Sequence, residues 1–126
     1  MSIDWIFDLE RDIDNGQEVL ACPGLSRNQW YIGKPYDELK QLAQRVANHK
    51  KMTVNIVRLV SHHDAIAGDL FLVPTKIGEP GARGEPHIEW STVETKEAAE
   101  MMRDLRQGPA PFFAMQQQET VDPSDE

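Results

Sequence analysis

Apolar positions recur at helical spacing in three stretches of the chain and at strand spacing through most of the remainder. In the first stretch Trp5, Ile6, Leu9 and Ile13 share one face, which predicts a short amphipathic helix over Asp4–Asp14. Asn15-Gly16 ends it, because both residues accept the positive φ of a helix stop or turn. The second stretch places Leu39, Leu42, Ala43 and Val46 at i, i+3, i+4 and i+7, with Pro35 suited to the first turn. Asp37 and Glu38 near its start and Lys50 and Lys51 near its end follow the order the helix dipole favours, so a helix over 35–49 is expected. In the third, Thr95 is a candidate cap for a helix in which Ala98, Met101, Met102 and Leu105 form the apolar face, closed by Gly108-Pro109.

Between these helices the period changes to two. Residues 17–22 and 30–32 read as short strands. Residues 52–60 are rich in β-branched side chains, with Val54, Ile56 and Val60 on one side and Val57 and Leu59 on the other. That pattern predicts a strand buried on much of both faces. After the polar turn 61–64, residues 65–73 form a second strand that Pro74 should terminate, and the two should pair as a hairpin. Residues 75–86 hold three glycines and two prolines and read as a long exposed loop, a candidate contact site; 87–93 is the next strand. Residues 111–115 suit a terminal strand or arm. Residues 116–126 lack an apolar period and read as a disordered acidic tail.

The expected architecture is therefore α+β. An antiparallel sheet of three to five strands carries two packed helices, in α-β-β-β-α order over 35–106, plus the N-terminal amphipathic helix. A single domain over 1–115 followed by the tail 116–126 fits a chain of 126 residues. The helix–three strands–helix order resembles that of double-stranded-RNA-binding domains, and Lys96-Glu97-Ala98-Ala99 lies where such domains carry a basic helix start. The resemblance is one of element order alone. Glu94, Glu97, Glu100 and Asp104 on the last helix would repel phosphate, so RNA binding through that helix is not expected.

Composition narrows the classes. One cysteine, Cys22, excludes an intramolecular disulfide and a cysteine-based zinc cage, and suits a reducing cytosol. The longest apolar runs, residues 70–73 among them, are far short of the ~20 residues a membrane helix needs, and Met1-Ser2-Ile3-Asp4 lacks the basic start of a signal peptide. A cytoplasmic protein that does not enter a membrane is the expectation. The 21 acidic against 13 basic residues leave a net charge of −8, which opposes nonspecific binding to nucleic acid or anionic lipid.

The charge is uneven along the chain. Six acids face one base in residues 1–20, two face seven in 21–60, five face two in 61–90, and eight face three in 91–126. Segments of opposite sign either pack together or mark an interaction surface. Two acidic rows stand out: Asp4, Asp8 and Asp12 at i, i+4, i+8, and Glu97, Glu100 and Asp104 at i, i+3, i+7. Like charges at such spacing cost a helix about 0.2–0.5 kcal/mol per pair, so stability alone does not select them. Rows of this kind can meet a basic surface on a partner protein. The leading expectation is thus a non-enzymatic protein-binding regulator or inhibitor. Its sharpest form is a phage- or plasmid-type mimic that blocks a nucleic-acid-binding protein; ordinary solvated faces would look the same.

Two alternatives come from other classes. In the basic segment 27–58, Trp30, Tyr31, Lys34, Lys50, Lys51 and Arg58 interleave aromatic and cationic groups, as an RNA or single-stranded DNA binding module requires, although the cations scatter around the helix. His62, His63, His87 and Glu89, with Asp64 beside them, are metal-ligand types that a hairpin could gather into the site of a metal-dependent enzyme. Solvated turn histidines are the simpler reading, and no cofactor is expected. Cys22 has no base near it in sequence that would make it a nucleophile. The glycines of residues 78–84 lack the Lys and Ser or Thr of a phosphate loop.

Overall fold

A computed structural model describes residues 4–77, 88–105 and 109–124, the side chains of residues 4 and 5 excepted. Three helices, α1 (Asp4–Asp14), α2 (Tyr36–Lys50) and α3 (Lys96–Met102), surround a sheet of six strands. The strands are β1 (Val19–Pro23), β2 (Trp30–Ile32), β3 (Val54–Ser61), β4 (Leu70–Ile77), β5 (Ile88–Val93) and β6 (Phe113–Val121). Every pairing is antiparallel, in the order β2-β1-β3-β6-β4-β5. The sheet curls until its ends meet. The backbone N–H of Trp90 on β5 donates to the carbonyl of Asn28, just before β2, at 2.9 Å, and the Asn28 amide reaches the Glu89 carboxylate at 3.4 Å. The result is α+β and nearly a closed barrel, which leaves little exposed strand edge at the seam.

Alternation along the strands builds three apolar clusters. Val19 and Ala21, Val57 and Leu59, Leu72, Trp90, Phe113 and Met115 point into the barrel, and Ile6 and Leu9 of α1 close one end over them. The opposite faces of β1 and β3 present Leu20, Cys22, Val54 and Ile56 to α2, which buries Leu39, Ala43, Val46 and Ala47 there. Phe71, Val73 and Ala114 meet Phe112 and Ala99 of α3. The periodicity of β3 is borne out, with its two faces serving two different clusters.

α1, β1, β2 and α2 form where the sequence places them to within one or two residues. α1 stops at Gly16, whose φ of +90° an L side chain would resist. α2 is entered at Pro35 and left through Lys51 in the left-handed region, with the Lys51 N–H on the Ala47 carbonyl. The turn after β3 is one 3₁₀ turn, His62–Asp64, capped by the Ser61 hydroxyl on the His63 N–H at 3.2 Å.

Several expectations are corrected. The sheet has six strands rather than three to five, and the α-β-β-β-α unit over 35–106 does not close on itself. β3 and β4 are not a hairpin, because β6 lies between them and pairs with both. The reason lies in residues 116–121, expected to be a disordered tail. Their backbone pairs with Val54–Arg58, and their polar side chains find partners: Gln116 with Arg58, Glu119 with Lys40 and Tyr36, Thr120 with Asn55. Val121 is buried under α2.

Pro74 does not end β4. It sits inside the strand, opposite Trp90, at a bulge that continues to Lys76. Pairing with β6 stops at Leu72, so no ladder donor is demanded of Pro74 on that side, and its carbonyl accepts from the Asp104 N–H at 2.9 Å. α3, finally, is shorter than expected and turned. Ala99 is the residue it buries, whereas Met101, Met102 and Leu105 of the anticipated apolar face are exposed. The glycine-rich part of the 75–86 loop lies outside the described residues.

Candidate functional site

The acidic rows meet different parts of the fold. On α1, Asp8 pairs with Arg11 at 2.9 Å, and Asp12 shares a shallow cleft with Lys34 and Tyr36 at the start of α2. The Asp4 side chain lies outside the described groups. α3 instead packs against β4 and β5. Successive helical residues are rotated by about 100°, so a buried Ala99 turns Glu97 and Met101 to the opposite, outer side with Glu100 beside them. Met101 is 84% exposed, Leu105 61% and Met102 45%.

Asp104 does not join the α3 row. It is only 8% exposed, beyond the helix end, and its carboxylate accepts the Ile77 N–H at 2.9 Å. Its own N–H goes to Pro74 and its carbonyl to the Ala110 N–H. A buried carboxylate with three backbone links ties the α3–β6 connection to β4, a structural task that the sequence spacing does not reveal.

Of the residues singled out in the basic segment, Trp30 and Lys50 line one cleft at the barrel end, and the others are spread over the fold. Trp30 and Tyr31 are consecutive on β2 and so face opposite ways, Trp30 against the barrel interior and Tyr31 against the α2 cluster. Lys34 lies 3.6 Å from Glu38, and Arg58 bonds Gln116 on the sheet. Lys51 is occupied, through its backbone, in ending α2.

His62 and His63 lie at one turn, with ring centroids 4.0 Å apart. His62 also stacks on Phe112 at 4.6 Å, and its Nδ1 is buried without a hydrogen-bond partner among the described residues. Burial, the adjacent His63, and Lys96 hold its pKa below the ordinary value; Glu100 opposes this and Arg103 adds to it. Glu89 is elsewhere, 3.6 Å from Lys76 and in reach of Asn28. His87 lies outside the described residues, among which no group of three or more His, Cys, Asp or Glu could hold a metal ion. Cys22 is buried between β1 and α2, where loss of solvation pushes its thiol up to about 11.

Sequence reasoning missed a concavity at the end of the barrel. The barrel end opposite α1 opens into a cleft of 540 Å³ whose walls include Trp30, Val57, Leu70 and Met115. The bulge between Ile56 and Val57 sits at this rim and bends β3 outward. A polar cleft of 320 Å³ adjoins it, sharing Pro23, Trp30, Lys50 and Thr92. No signal in the sequence joins these positions, which come from six strands and the end of α2.

No described helix is long and apolar enough to cross a membrane. Comparison with protein-family models, curated proteins and solved structures finds no match to this chain.

Proposed function

We propose that the protein is a non-enzymatic binding module that docks on another protein through the outer face of α3. The observation that carries this reading is the exposure of Met101, Met102 and Leu105 beside Glu97 and Glu100. Single exposed apolar residues are ordinary, but three large ones fall within five positions here, Met101 and Met102 in the last turn of α3 and Leu105 just beyond its end. Methionine adapts its shape to a partner at little cost. The flanking carboxylates select a partner whose apolar pocket is rimmed by Lys or Arg, and they steer its approach. Methionine next to the acids favours this mixed contact over a phosphate-like row.

The test compares proteins retained from a lysate of the native host by the wild type, by the Glu97→Lys/Glu100→Lys variant, by Met101→Asp, and by Asp8→Lys/Asp12→Lys on α1. The reading expects specific partners that elute with salt, persist with the α1 variant and disappear with both α3 variants. Retention of the same partners by the α3 variants overturns it, as does their loss with the α1 variant alone.

A further inference from the structure

Two clefts share one wall at the open end of the barrel, and their linings differ in kind. The 540 Å³ cleft descends between strands toward Val57 and Met115, both nearly buried, and is walled by Trp30 and Leu70. This is the size and composition of a small-molecule site, and a barrel mouth is a usual place for one. Its two charged lining residues are Lys50 and Asp69. The Asp69 carboxylate is engaged, accepting the Ile66 N–H at 3.0 Å and the Gln116 side-chain amide at 3.3 Å.

The adjoining 320 Å³ cleft is polar, and the charged residues among its lining are Arg27 and Lys50, both cations. Neither forms an ion pair among the described residues. In a chain of net charge −8, two cations without carboxylate partners at the lip of an apolar cavity make a local positive site.

We infer that the barrel mouth binds an amphipathic carboxylate, its apolar tail between Trp30, Leu70 and Met115 and its head at Lys50 and Arg27. An uncharged apolar ligand would leave the cationic lip unused, and a cationic one would meet repulsion there. Ser26 and Thr92 lie in the polar cleft with hydroxyl groups for the head's remaining lone pairs. Because the site is at the barrel end and the α3 patch is on β4 and β5, the two readings stand or fall separately.

The test is calorimetric titration of the full chain with dodecanoate below its micelle-forming concentration, with dodecyltrimethylammonium as the charge-reversed probe. Amide shifts of isotope-labelled protein locate the site. The expected result is one saturable site for dodecanoate, with shifts at Trp30, Leu70 and Thr92, and at least about tenfold weaker binding of the cationic probe. Arg27→Glu/Lys50→Glu should weaken dodecanoate about tenfold, since each exchange replaces attraction by repulsion. Leu70→Trp, at an exposed wall position, should abolish binding by filling the tail space. Unchanged thermal unfolding of both variants separates these losses from misfolding. Absence of saturable binding, equal binding of both probes, or wild-type affinity in both variants overturns the inference.

Discussion

The Asp104 carboxylate lies 2.9 Å from the backbone N–H of Ile77 and is the sole buried charged residue in the described structure. β6 ends its pairing with β4 at Leu72, and Asp104 supplies an acceptor to β4 beyond that point. Asp104→Ala removes the carboxylate that the Ile77 N–H donates to and should destabilise the protein by about 1–3 kcal/mol. Asp104→Asn keeps an acceptor oxygen and should lose less. Urea unfolding of the three proteins measures the order; equal midpoints for wild type and Asp104→Ala would falsify the clamp.

His62 makes stability depend on pH. Its folded pKa lies below the ordinary histidine value of about 6.5, so below that value the unfolded chain takes up more protons than the folded one. Stability is therefore full above about pH 6.5 and declines as pH falls through the interval between the unfolded and folded values. The groups facing the ring are His63, Lys96, Arg103 and Glu100, and three of the four disfavour its charge. Melting temperatures between pH 7.5 and 5.5 should fall for the wild type and fall less for His62→Gln, which carries no titrating ring. Parallel profiles would assign the pH dependence to other groups.

The polar C-terminal segment should be indispensable. A chain ending at Met115 loses the β3 partners of Val54 through Arg58 and the buried Val121. With about 0.5–1.5 kcal/mol for each ladder hydrogen bond and about 1.5–3 kcal/mol for the valine, the loss is a large part of a typical total of about 5–15 kcal/mol. Circular dichroism during urea titration should show a loss of cooperative unfolding. A chain ending at residue 124 keeps the bonds of Asp122 to Thr53 and Gln44 and should unfold as the full chain does. A cooperative, equally stable protein ending at Met115 would show β6 to be dispensable beyond that residue.

The legible elements were those whose own side chains carry the reason for their form. α2 has a continuous apolar stripe, an ordered dipole pattern and a proline at its entry; α1 has its stripe and Gly16; β3 alternates on both faces. The illegible ones depend on neighbours. Residues 116–120 carry no apolar period because they run at the barrel rim, where polar side chains find partners across strands, and their strand state comes from the ladder with β3. α3 shows an apolar stripe at the right spacing, but it ends at Met102 as Arg103 reaches over Phe112 and Asp104 turns to β4.

The candidate sites divide in the same way. Glu97 and Glu100 were found from spacing, because a helix repeats within a few residues. Met101 lies on the apolar stripe and is nevertheless exposed, because spacing says that residues share a face and not which face meets the sheet. The cleft with Arg27 and Lys50 joins positions too far apart in sequence for any local pattern to connect.

The sequence by itself determined the α+β class, three helices, most strand positions and a division of charge, since each follows from propensity and periodicity within about ten residues. Only the tertiary structure decided that β6 separates β3 from β4, that β5 returns to Asn28, that Asp104 is buried and that the barrel opens beside two cations. Strand order and burial are set by packing across the chain, where each segment competes with every other for the same surface.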